Sequence, residues 1–200
     1  MFSGSRSENS GSFSQSLCIF FNSFSSFLDV FEGLKAKLSE NDLVLDGGEC
    51  EIGIESTIVD CTGTFPKILR PGFISEEKIL AIFEANYGKI KETTGESSLD
   101  CKLNTWPGMS KKHYSPKANV VLSQITQEGD GFFALDSIQT PIGAIRLGSP
   151  TNVEEFAHTL YSVLRKGDSI GLKRIVIEPP DGAGLPVAIR DRLKKAAGMP

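Results

Sequence analysis

Histidine is scarce. It occurs twice, at His113 and His158, which argues against a multi-histidine metal centre. Cysteine occurs four times, at Cys18, Cys50, Cys61 and Cys101, and never as a CxxC pair. Zinc sites draw on close-spaced ligand pairs, so no metal ligand is assigned; free thiols in a reducing cytosol, and a cytoplasmic location, are the expectation. No apolar run approaches the roughly 20 residues that span a bilayer, so no membrane role is expected. Neither sign of charge dominates: the net charge of -4 gives no general pull toward nucleic acid, and direct RNA binding finds no support in it. The GxGxxG and Walker patterns are missing. Asp181-Gly182-Ala183-Gly184 is a lone glycine-rich turn and is read as a loop.

What remains is a soluble globular composition, 40% apolar and 23% charged, in a chain long enough for one large domain or two small ones. The densest information lies in Leu43 to Gly72, LVLDGGECEIGIESTIVDCTGTFPKILRPG. Leu43 to Leu45 is a short apolar run stopped by Asp46-Gly47-Gly48. Thr57 to Cys61 and Lys67 to Arg70 are further strand signals, bounded by Gly, Pro and Asp. Glu55, Ser56 and Thr57 stand together where one strand begins, and Arg70 ends another at Pro71-Gly72. A hydroxyl and a guanidinium so placed can converge on one small ligand, because the planar fork of Arg suits a phosphate or carboxylate. An ordinary hairpin, with Arg70 paired to a surface acid, fits the same residues.

Residues 1–26 are rich in Ser and Phe, with Arg6 and Glu8 as the charged side chains. Their apolar centre, Leu17 to Phe21, is too short and too Ser-flanked for a signal peptide; a transit peptide and disorder both stay open. Ser26 caps an expected helix whose apolar face is Phe27, Phe31, Leu34 and Leu38. Ser75 caps a second helix, Glu76 to Asn86, with Ile79, Ile82 and Phe83 expected on its buried face and Gly88 as its stop.

Lys89 to Asn104 is polar and reads as a long loop. It leads to Trp106-Pro107-Gly108-Met109-Ser110-Lys111-Lys112-His113-Tyr114-Ser115-Pro116. So many recognition-type side chains suggest a lid over a polyanionic ligand; an interdomain linker anchored by Trp106, Met109 and Tyr114 is compatible with that. Beyond Pro116 strands are expected at Asn119–Leu122, Phe132–Leu135, Ile142–Leu147 and Arg174–Glu178. They alternate with a helix capped by Asn152 and a final helix from Leu185 to Ala197, the pattern of a small parallel, Rossmann-like sheet. His158, mid-helix, is expected at the surface or in packing rather than as a ligand.

Asp46-Gly47-Gly48-Glu49-Cys50, Gly53-Ile54-Glu55-Ser56-Thr57 and Leu69-Arg70-Pro71-Gly72 together resemble the threonylcarbamoyl-AMP synthase family, enzymes with a YrdC-like domain. Pro107-Gly108-Met109 followed by His113-Tyr114-Ser115-Pro116 resembles the linker of its two-domain subfamily, in which this segment folds over the active site. That subfamily often has Lys-Tyr-Arg where this chain has Ser110-Lys111-Lys112, so Lys112 keeps a charge and the aromatic is absent. EFAHTLYSVLRKGD and AIRDRLKKAA resemble its accessory domain.

The resemblance implies an α/β protein: the C-terminal part of a YrdC-like domain over residues 27–88, a lid-like linker over 89–118, and a Rossmann-like accessory domain over 119–200, after an atypical start at 1–26. It implies synthesis of threonylcarbamoyl-AMP and pyrophosphate from ATP, L-threonine and bicarbonate, with Mg2+ accompanying the nucleotide. The product would pass to a tRNA-modifying transferase complex that makes t6A. Ser56 would contact threonine, Arg70 and Ser26 would contact ATP, and Met109, Lys112, His113 and Tyr114 would form the lid; no residue is assigned as catalytic. The family's Pro-Ser-Ala-Asn and Ser-Pro-Thr motifs and its first phosphate-binding strands are not found before Phe27. A truncated enzyme with impaired activity is therefore expected, and a non-catalytic binding or regulatory module is the alternative.

Overall fold

The computed structural model describes residues 18–21, 43–46, 51–88 and 116–199, the first two segments as backbone only. Its first strand, β1 (Cys18–Phe21), falls on the apolar run whose role the sequence left open. It pairs in parallel with β2 (Leu43–Asp46), Cys18 opposite Leu43. The expected helix over Phe27 to Leu38 lies outside the described residues. β3 (Ile58–Asp60) and β4 (Lys67–Arg70) form an antiparallel pair with a register shift between Ile58 and Val59.

Helix α1 (Glu76–Tyr87) begins where Ser75 Oγ accepts from Lys78 N at 3.4 Å, and Glu76 and Glu77 suit the positive end of its dipole. Gly88, at φ 89°, closes it. The expected buried face is corrected here: none of its residues is buried, and Ile82 is exposed. Phe83 instead packs beside Phe65 and Tyr87, at ring-centroid distances of 5.9 and 5.0 Å. Apolar spacing sets which face a helix offers; what covers that face is decided by tertiary packing.

The remaining strands, β5 (Asn119–Leu122), β6 (Gly131–Phe133), β7 (Ile145–Gly148) and β8 (Arg174–Ile177), make one sheet in the order β5-β8-β6-β7. All its pairings are parallel, as the alternation of strands and helices predicts. β8 is central, and Ile175, Val176 and Ile177 are all fully buried, as expected for a strand covered on both faces. β7 starts three residues later than the apolar run suggested, because Pro141 to Ala144 is a turn: Ala144 N donates to Pro141 O and Gly143 has φ 82°. Ile142 is consequently exposed.

Helix α2 (Val153–Ser169) is capped by Asn152, whose Oδ1 accepts from Glu155 N at 2.8 Å. Helix α3 (Leu185–Ala196) follows the turn at Gly184. Phe156, Leu160 and Leu164 of α2 and Ile189 and Leu193 of α3 join Phe133, Ile175 and Ile177 of the sheet in the main core. Ile54, from the segment ahead of β3, is buried in that same core.

Candidate functional site

The β3–β4 hairpin brings together the hydroxyl and guanidinium that the sequence singled out. The register sets Ile58 opposite Arg70, so Ser56 and Thr57 approach the hairpin where β4 ends. Arg70 is 9% exposed and turns inward. Its Nε and Nη2 donate to the Ser56 carbonyl at 3.1 and 3.0 Å, and Nη2 also reaches Ser56 Oγ at 3.5 Å. Two donors on one carbonyl hold the Ser56 peptide firmly, and Ser56 itself is exposed. Thr57 Oγ1 donates to Ile74 O at 2.7 Å, tying the same segment to the turn after β4.

Two glycines make this approach sterically feasible. A Cβ on Gly72 would fall 2.2 Å from Thr57 N and 2.6 Å from the Ser56 carbonyl carbon, so only glycine fits. Gly53, at φ 71°, lies against α2, where a Cβ would meet the His158 Cα at 2.5 Å. His158 is thus a packing position, in line with the sequence reading.

Glu55, next to Ser56, turns the other way, into the accessory sheet domain. Its Oε2 accepts from Arg192 Nε of α3 at 2.5 Å, and its two oxygens lie 3.1 Å from the Tyr161 hydroxyl of α2. Arg192 also donates through Nη2 to Pro71 O at 3.1 Å and through Nη1 to Asp191, which Lys195 pairs at 2.9 Å. Burial pushes the Glu55 carboxyl up, but the Arg192 charge and hydrogen bond, helped by Tyr161, outweigh it and hold the carboxyl below its ordinary value. Burial likewise opposes the Arg192 charge, and Glu55 outweighs it, so the guanidinium is held more firmly protonated than usual.

The sequence marked Glu55 beside Ser56 but gave it no partner, and Arg192 and Tyr161 were not singled out. Arg192 sits in a helix with Arg190, Lys194 and Lys195 and looks like part of a solvated face. A signal was present, however: it lies three residues after Ile189 and beside Leu193, on the apolar stripe of α3.

Of the other expected site residues, Ser26, Met109, Lys112, His113 and Tyr114 lie outside the described residues. Among the described residues no group of three or more His, Cys, Asp or Glu is placed to hold a metal ion. A cleft between β4 and α3, walled by Pro71, Gly72, Glu76, Glu77 and Val187, carries two acids and no cation, so it does not suit a phosphate. In the Asp181–Gly184 turn the carbonyls of Pro180 and Gly182 accept from Arg190, at 2.7 Å each, which fits a structural loop. No helix among the described residues is long and apolar enough to cross a membrane.

A family model described as threonylcarbamoyl-AMP synthase, C-terminal domain, matches residues 74–198, and a second, described as telomere recombination, matches residues 22–72. The chain belongs to the threonylcarbamoyl-AMP synthase family. Among its relatives, the threonylcarbamoyl-AMP synthase of Pyrococcus abyssi is 32% identical over 178 residues, 78% of this chain and 49% of that protein. The Bacillus subtilis threonylcarbamoyl-AMP synthase is 30% identical over 178 residues, 78% of this chain and 48% of that protein. The crystal structure of P. abyssi Sua5 complexed with L-threonine superposes with a TM-score of 0.63 at 30% identity, covering 87% of this chain and 54% of that one. The chain thus spans about half the length of the curated relatives it matches.

Proposed function

We propose that this chain acts in the synthesis of threonylcarbamoyl-AMP from ATP, L-threonine and bicarbonate, for the t6A modification of tRNA. Ser56 offers an exposed hydroxyl to the threonine carboxylate or hydroxyl, and Arg70 supplies a fixed cation toward the ATP phosphates. The observation that carries this reading is the double hydrogen bond from Arg70 to the Ser56 carbonyl, which fixes the hydroxyl-bearing peptide and a guanidinium at one point. A preset cation and hydroxyl recognise an anionic amino acid beside a nucleotide without the entropic cost of ordering them on binding. The L-threonine bound in the homologous P. abyssi structure supports the substrate class. The reading asks these contacts of the chain, with weak turnover in isolation. Mg2+ would accompany the nucleotide and neutralise phosphate charge.

The test is calorimetric titration of the full chain with L-threonine and with ATP, alongside a pyrophosphate-release assay with bicarbonate. L-Threonine should bind, Ser56→Ala should weaken it on the order of ten-fold, and Arg70→Ala should weaken both ligands. If the folded wild-type chain binds neither L-threonine nor ATP at millimolar concentration, the proposal is wrong.

A further inference from the structure

We infer that Arg192 is a positioning residue: from the last helix of the accessory domain it fixes the two backbone segments that carry Ser56 and Arg70. The inference builds on the proposed function of those two residues. Arg192 is far from them in sequence but grips the neighbour of each. Its Nε binds the carboxylate of Glu55, the residue before Ser56, at 2.5 Å. Its Nη2 binds the carbonyl of Pro71, the residue after Arg70, at 3.1 Å. One planar guanidinium therefore sets the spacing between the Ser56 segment and the end of β4.

The grip is held from behind. The Arg192 side chain is 5% exposed, and its Nη1 donates to the Asp191 carboxylate, which Lys195 pairs in turn. Tyr161 of α2 fixes the Glu55 carboxylate from a second element. Gly53 lies against the backbone of α2 and Ile54 is buried in the accessory core, so the segment leading to Ser56 has little freedom to slide. Across the hairpin Arg70 already fastens the Ser56 carbonyl. Arg192 and Arg70 thus brace the Ser56 segment through different partners, Arg192 through Glu55 and Pro71 and Arg70 through the Ser56 carbonyl. A site residue displaced by about 1 Å can lose on the order of a hundred-fold in rate, so a brace at this distance is functionally consequential.

The test uses the full chain with Arg192→Ala, Arg192→Lys and, as a control, Asp130→Asn. Asp130 pairs with Arg174 at 2.7 Å, elsewhere in the accessory domain, so its loss destabilises without touching the brace. Two readouts are taken below the melting point of each variant: L-threonine affinity, and amide hydrogen exchange at residues 54–57 and 70–73. Arg192→Ala should weaken L-threonine on the order of ten-fold or more and speed exchange in both segments; Arg192→Lys should restore part of each, and Asp130→Asn should change neither. Unchanged exchange in those segments in folded Arg192→Ala, or exchange raised equally by Asp130→Asn, overturns the inference. If the wild-type chain binds no L-threonine, the proposed function falls, while the exchange readout still decides whether Arg192 fixes the segment.

Discussion

The carboxylate of Glu55 and the guanidinium of Arg192 meet at 2.5 Å across 137 positions of sequence, and both are largely withdrawn from water. Breaking such a pair exposes its asymmetry. Arg192→Ala leaves the Glu55 carboxylate with only the Tyr161 hydroxyl among these partners and removes the donor to Pro71, so a loss of about 3 kcal/mol is expected. Glu55→Ala leaves Arg192 with Asp191 and Pro71 and should lose less. Urea unfolding followed by circular dichroism measures both; equal losses would contradict the asymmetry.

The same pair makes stability depend on acid. Glu55 is held below its ordinary value of 4.5, so it binds a proton less readily folded than unfolded. Its contribution is present above about pH 4.5 and is lost as pH falls through the lower folded value. Glu55→Gln should therefore be less stable than wild type at neutral pH, and the gap should narrow in acid. Thermal unfolding from pH 7 down to 3 reads it, and a gap that stays constant would count against it.

Gly72 tolerates no side chain. Its virtual Cβ meets backbone atoms of Ser56 and Thr57, which cannot rotate away, so Gly72→Ala should cost about 3 kcal/mol and weaken L-threonine binding as well. At Gly148 the nearest atoms are side-chain carbons of Phe133 and Val163 at 3.1 Å, so Gly148→Ala should be milder and leave binding unchanged. Gly88 faces open space but has φ 89° and ψ 164°, a backbone that alanine adopts only at a cost of about 1–3 kcal/mol, and L-threonine binding should be unchanged. The denaturation midpoint should fall furthest for Gly72→Ala, the one variant of the three whose added carbon meets backbone below 3 Å.

Asp168, near the end of α2, accepts from the amides of Lys117 and Ala118, each at 2.9 Å. Asp168→Ala leaves both donors without that partner as the chain turns into β5, and a loss of about 2 kcal/mol is expected. Asp168→Asn keeps an acceptor for one amide and should recover part of the loss, as chemical denaturation would register.

Local chemistry made much of this legible. Glycine, proline and capping residues marked the strands and helices, and Asn152, Ser75 and Gly88 act where the sequence placed them. The meeting of Ser56 with Arg70 was legible because one short hairpin joins them. Ile142 and Ile82 misled because an apolar side chain does not say what will cover it. The bracing of Ser56 by Arg192 was not legible, since nothing in either neighbourhood names the other as its partner; only the charge within the apolar stripe of α3 hinted at burial.

The strand order β5-β8-β6-β7 has a consequence for the time course of folding. β5 and β6 are made early in the accessory domain but do not touch as neighbours; each pairs with β8, which is synthesised after α2. Neither half of the sheet can join until β8 arrives, and Arg192 follows later still, in α3. The Ser56 segment is therefore synthesised long before the residue that holds it, and a nascent chain interrupted ahead of α3 would present that segment unbraced.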